Sequence, residues 1–110
     1  MYSFLYRNQL NNLIDCSEIS SLIQRNAQLI DLRTQEEFYK EHIEHFINIP
    51  YQLLPYNLEL IDKNKPVYLI CHLGKQSMAA SNYLNQLGYH AYSFIGGMYN
   101  YRFYANPTYY

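Results

Sequence analysis

Several residue types are scarce in this 110-residue chain, and each scarcity excludes something. Tryptophan is absent, and there are only two cysteines, four glycines and four prolines. Two cysteines, Cys16 and Cys71, are too few for the disulfide framework of a small secreted scaffold. They fit a cytoplasmic domain in which one thiol does chemistry. Charged residues make up 15% and are balanced, 8 Lys and Arg against 9 Asp and Glu for a net charge of -1. That balance excludes a strongly basic nucleic-acid-binding surface. No apolar run approaches the ~20 residues that span a bilayer. Residues 1–7 lack the charged and apolar regions of a signal peptide, so neither membrane nor export is expected. What is abundant is apolar and aromatic: 49% hydrophobic residues, 14 tyrosines among them, exclude a disordered or fibrous chain. A chain of this length buries roughly 65% of its unfolded surface, enough for one core. One domain over residues 1–110 is expected, with its core at about 13–104 and a tail that frays from 105.

Punctuation by Gly and Pro separates short periodic segments. Residues 17–26 read as a helix, with Ser17 as N-cap and Ile19, Leu22 and Ile23 as its apolar stripe. Residues 28–32 form a short apolar run expected to be a buried strand. Thr34-Gln35-Glu36-Glu37 is a capping-box pattern that starts a helix running to about Lys40. A second short strand covers 46–49 and ends at Pro50, and a short helix or turns follow over 51–62. Val67-Tyr68-Leu69-Ile70-Cys71 is the clearest buried strand. Gly74 breaks it, and a helix begins near Lys75 with Met78, Ala79, Tyr83, Leu84 and Leu87 on one face and Gly88 at its C′ position. A further strand at 91–95 leads through Gly96-Gly97 into a last helix, 98 to about 104. Strand and helix alternate three or four times with short connections, which predicts an α/β fold: a parallel sheet covered by helices on both faces. Ligands of such sheets sit at the carboxyl ends of the strands, so Asp31-Leu32-Arg33 and Cys71-His72-Leu73-Gly74 should share one rim.

Cys71 ends a buried strand, and a loop then leads into a helix. Backbone N–H groups of such a loop can point at the sulfur, and the helix N-terminus adds roughly half a positive charge. Both favour negative charge on the sulfur and make Cys71 a candidate nucleophile. The same cradle can hold the oxygens of an anion. Gly74 suits a loop that curls with positive φ. Ser77 can hydrogen-bond the sulfur or cap the helix. A buried structural thiol is the bland alternative.

The run Cys71-His72-Leu73-Gly74-Lys75-Gln76-Ser77-Met78-Ala79-Ala80, with Leu84, Leu87-Gly88-Tyr89 and Gly96-Gly97-Met98, resembles a single-domain rhodanese. So do Leu29-Ile30-Asp31-Leu32-Arg33, Glu37-Phe38, His42-Ile43 and Asn48-Ile49-Pro50. The resemblance implies a five-stranded parallel sheet flanked by helices on both faces. It implies a sulfurtransferase that carries sulfane sulfur as a persulfide on Cys71, with residues His72, Leu73, Gly74, Lys75, Gln76 and Ser77 forming the substrate loop. The implied partners are a small sulfur donor and a thiol or cyanide-type acceptor, either a small molecule or a protein, and no cofactor or metal. Three positions depart from the family. Gln76 stands where thiosulfate-using members often have Arg, and Lys75 beside it lacks the planar fork of a guanidinium. A charge-assisted contact contributes about 1.5–3 kcal/mol against about 1 for a neutral one. The exchange therefore weakens an anionic donor roughly tenfold or more and puts thiosulfate in doubt as the physiological donor. His45 replaces a glycine and costs about 1 kcal/mol if the backbone there is left-handed. Tyr101 replaces a tryptophan.

Other candidates read as structural. Asp31 and Arg33 are expected to tie loops of the rim together. The spacing of His42, His45, His72 and Cys71 matches no zinc pattern. His72 faces either the pocket mouth or solvent. Cys16 is either a resolving thiol or a bystander. The tyrosines at 99, 101, 104, 109 and 110 either form a partner surface or cover a core edge. Two other functions compete with sulfur transfer. A cysteine phosphatase or arsenate reductase needs an Arg closing the loop, which neither Gln76 nor Ser77 supplies. A binding or regulatory module would keep the fold without catalysis.

Overall fold

The computed structural model describes residues 12–105; the expected fraying beyond 105, the N-terminal pattern at 1–7 and the tyrosines at 109 and 110 lie outside the described residues. Five strands, β1 (Leu13–Ile14), β2 (Gln28–Asp31), β3 (Ile47–Asn48), β4 (Val67–Ile70) and β5 (Ala91–Phe94), form one sheet in the order β1-β5-β4-β2-β3. Every pairing is parallel. Parallel pairing needs crossovers: α1 (Ile19–Gln24), α2 (Gln35–Lys40) and α3 (Lys75–Gln86) supply three of them, 3-10 turns join β3 to β4, and α4 (Gly97–Ala105) follows β5. Alternation along the strands splits the core in two. Ile30, Leu69 and Ala91 face α3 through Ala80 and Leu84. Leu29, Ile70 and Phe94 face α1, α2 and α4 through Leu22, Phe38 and Met98. The α/β architecture with five parallel strands and helices on both faces is thus present.

Local signals decide several boundaries. The Thr34 hydroxyl accepts from the Glu37 amide, and the Glu37 carboxylate accepts from the Thr34 amide, completing the capping box that starts α2. Gly88 follows the end of α3 with φ 95°. His45 sits at φ 73°, so the left-handed backbone expected at that position is real and a side chain occupies it. Segment 51–62 contains two 3-10 turns, Tyr51–Tyr56 and Leu58–Leu60.

Three expectations need correction. The helix expected over 17–26 is a 3-10 turn, Cys16–Glu18, followed by the shorter α1, and its cap is Asp15 rather than Ser17. The Asp15 carboxylate accepts from the Ser17 amide at 2.9 Å. The strand expected over 46–49 pairs only at Ile47–Asn48. The buried face of α3 consists of Ser77, Ala80, Ser81 and Leu84, whereas Ala79 and Leu87 are exposed and Met78 and Tyr83 half-buried. Close approach of the helix to the sheet requires small side chains there, and that overrides the larger residues one position away. Periodicity alone reveals four strands; β1, two residues long, has no pattern to read.

Candidate active site

Cys71 is the first residue beyond β4, at the carboxyl edge of the sheet, and is 1% exposed. The chain must reverse at once to start α3 at Lys75. It does so through Gly74, which adopts φ 98°. A Cβ at Gly74 would also stand 3.0 Å from the Gly96 nitrogen, so the position has neither room nor backbone freedom for a side chain. The reversal turns two amides onto the sulfur: Gly74 N–H donates at 3.1 Å and Ser77 N–H at 3.2 Å. The N-terminus of α3 reinforces both dipoles. The Ser77 hydroxyl lies 3.3 Å from Sγ and 3.2 Å from the Gly74 carbonyl. Negative charge on this sulfur therefore meets N–H and O–H dipoles from one side.

A second wall holds the loop from behind. The amides of Met98 and Tyr99 donate to the carbonyls of Cys71 and His72 at 2.8 and 3.1 Å. Gly97 makes that approach possible. A Cβ on it would lie 2.8 Å from the His72 oxygen and 2.9 Å from the Gly74 nitrogen, and nearer still to the Cys71 oxygen.

Of the six loop positions singled out after Cys71, Gly74 and Ser77 are buried around the sulfur. His72, Leu73, Lys75 and Gln76 are exposed. His72 borders an open cavity of about 400 Å³ lined also by Arg33, Glu37, Lys40, Glu41 and Arg102. Much of that positive charge is already committed. Arg33 and Asp31, both buried, form a two-pronged ion pair, with Nη2 2.9 Å from Oδ2 and Nε 3.1 Å from Oδ1. Arg33 Nη2 also donates to the Glu41 carbonyl at 2.8 Å, and Asn48 donates to the carbonyls of both Asp31 and Arg33. These bonds join the segment after β2 to the end of α2 and to β3. Arg102 pairs with Glu41 at 2.7 Å. Lys40 has no ion pair among the described residues. Burial raises Glu37, but hydrogen bonds from the Thr34 amide and hydroxyl and the charges of Arg33 and His72 outweigh it and hold its carboxyl below the usual value.

Cys16, read from the sequence as either a resolving thiol or a bystander, lies close to the turn that follows β5. Its sulfur lies under the Gly96–Gly97 turn, 3.5 Å from the Ile95 carbonyl and 3.7 Å from that of Gly97. Burial, with the charge of Asp15 added, pushes its thiol up to about 11. Yet it packs in the core on the opposite face of the sheet from Cys71, and both thiols are free. The tyrosines of α4 have different surroundings. Tyr101 packs on the core, Tyr104 donates to Asp15 at 2.7 Å, and Tyr99 is 56% exposed.

Ser93 escaped the sequence reading. It is fully buried on β5, its hydroxyl 2.7 Å from that of Ser77. The signal was a polar residue at an inward position of Ala91-Tyr92-Ser93-Phe94.

Comparison with known proteins places this geometry in context. The thiosulfate sulfurtransferase PspE of Escherichia coli is 34% identical over 71 residues, 63% of this chain and 68% of that protein. The adenylyltransferase and sulfurtransferase uba4 of Ogataea parapolymorpha is 32% identical over 93 residues, which are 79% of this chain but 24% of the larger protein. Among solved structures, a rhodanese-like domain protein of Staphylococcus aureus superposes with a TM-score of 0.76 at 29% identity, covering 82% of this chain and 90% of that one. The family model for the rhodanese-like domain matches residues 9–103. A cysteine loop at the edge of five parallel strands, found on a chain matched almost end to end, is thus part of a whole shared domain, and the protein belongs to the rhodanese-like family.

Proposed function

We propose that the protein is a cytoplasmic sulfurtransferase that carries sulfane sulfur on Cys71 and draws it from a small-thiol or protein persulfide more readily than from thiosulfate. The observation that carries this reading is the pair of amides, Gly74 N–H and Ser77 N–H, directed at Sγ. In the first half-reaction the Cys71 thiolate attacks the outer sulfur of a donor R–S–SH. The donor S–S bond breaks, the bonding pair leaves on RS⁻, and Cys71–S–SH remains. In the second, an acceptor thiolate attacks the outer sulfur and takes it, and the pair of the Cys71 S–S bond returns to Sγ as thiolate. The amides and the α3 N-terminus face the charge that appears on sulfur in both steps. Thiosulfate would have to place a sulfonate where Gln76 offers no charge, and the nearby Arg33 and Arg102 already hold carboxylates.

The test is intact-protein and peptide mass spectrometry after incubation with thiosulfate and with a small-thiol persulfide side by side. A gain of one sulfur, about 32 Da, on Cys71 is expected, faster with the persulfide. If no donor leaves the adduct on Cys71, sulfur transfer is wrong. Gln76 favours a second reading, a domain that uses this rim for protein contact without catalysis. A folded protein whose Cys71 reacts no faster than a free cysteine would support it.

A further inference from the structure

The hydroxyls beneath the sulfur admit a proton count. Ser93 is fully buried, and the Ser77 oxygen is its one side-chain hydrogen-bonding partner among the described residues, at 2.7 Å. No buried polar side-chain atom there lacks a partner. Ser77 has three neighbours: Ser93 Oγ, the Gly74 carbonyl at 3.2 Å and Cys71 Sγ at 3.3 Å. A carbonyl only accepts. In the thiol form the Ser77 proton goes to Gly74 O, and its oxygen accepts from both Ser93 and the Cys71 S–H. Every donor is then used.

Once the thiol proton has left to solvent, Sγ becomes an acceptor and the Ser77 proton can turn to it. The Gly74 carbonyl is not orphaned by that turn, because the Met78 amide donates to it at 3.1 Å. Ser93 keeps donating to Ser77, having no other outlet among these groups. Its donation strengthens the bond that Ser77 makes to the charged sulfur. It also competes with the thiol proton for the Ser77 lone pairs.

We propose that Ser93 is a positioning residue for Cys71, acting through Ser77 as a fixed donor that releases the Ser77 proton to the sulfur whenever the sulfur is negative. This rests on the reading of Cys71 as the reacting sulfur. On this face of the sheet the titratable groups include exposed His72 and Lys75 and, in the surrounding core, Tyr51, Tyr83 and Tyr89, the last with Lys63 over its ring. None of them hydrogen-bonds Sγ, whose partners are the uncharged groups of Gly74 and Ser77.

The experiment is iodoacetamide alkylation of Cys71 in the full chain, followed by peptide mass. Ser93→Ala should react about two- to four-fold more slowly than the parent at pH 6, the size of a cooperative change in one charged hydrogen bond. The two should match at pH 10, and Ser93→Thr should restore the parent behaviour. In a Ser77→Ala background, Ser93→Ala should change nothing further. If Ser93→Ala lowers the melting temperature too far to use, Ser93→Cys, a weaker donor of similar shape, carries the same expectation. Equal slowing at both pH values, or a Ser93 effect that survives Ser77→Ala, would overturn the proposal. Alkylation needs no sulfur donor. A protein that shows this pattern but takes up no sulfane sulfur would therefore refute the transfer reading and leave the Ser93 role standing.

Discussion

Cys16 and Cys71 are equally hidden, 2% and 1% exposed, yet the backbone presents opposite faces to them. Cys71 receives two N–H groups at the start of a helix, whereas Cys16 gives its proton toward two carbonyls. Around one sulfur the dipoles point their positive ends inward, and around the other their negative ends. Burial alone therefore does not separate a reacting thiol from an inert one. The sign of the peptide dipoles does, while burial and the charge of Asp15 push the Cys16 thiol up to about 11.

The largest effect expected from this contrast is in chemistry. Cys71→Ser should lower sulfur transfer by at least about a thousand-fold, while Cys16→Ser should leave it within about two-fold. Steady-state rates with a small-thiol persulfide check both, and a large loss in Cys16→Ser would erase the distinction. Next in size is a change that strikes both sulfurs together. Gly97 supplies a carbonyl to Cys16 and presses its α-carbon against the Cys71 loop. Gly97→Ala, at φ 59°, should destabilise the fold by at least about 2 kcal/mol and lower the melting temperature by on the order of 10 °C. A melt unchanged from the parent would mean that the turn yields easily. The smallest effect sharpens the Cys71 side alone. Gln76→Arg should raise the thiosulfate-dependent rate about tenfold and barely change the rate with a small persulfide. An equal gain with both donors would show that the added charge acts on the sulfur rather than on a sulfonate.

Much of this arrangement was legible in the chain because it depends on residues with a single strong backbone preference. Gly74 announces the curl, Thr34 and Glu37 announce the start of α2, and the run from Val67 announces the central strand. The departure of His45 from glycine was readable too, and its φ of 73° confirms that something unusual is tolerated there. What was not legible depends on distance in space. Ser77, Ala80 and Ser81 look like a weak face until the sheet lies close above them. Ser93 looks like an ordinary strand residue until α3 brings a second hydroxyl to it. Cys16 looks remote because the turn at Gly96 and Gly97 returns to it only in the folded chain. Asp15, rather than Ser17, caps the first turn, a choice between neighbouring good caps that propensity does not rank.

The strand order has a consequence in time. β1, the first strand of the sheet, pairs only with β5, the last, and β5 also borders β4, which ends just before Cys71. The amides that fasten the carbonyls of Cys71 and His72 follow β5 directly, at Met98 and Tyr99. A chain emerging from the ribosome thus displays its cysteine loop before the wall behind it has been made. The arrival of one late segment joins both ends of the described chain and fastens the loop at once. Synthesis halted before that segment leaves an unfastened thiol, and the cradle is available only to a chain that has been read through.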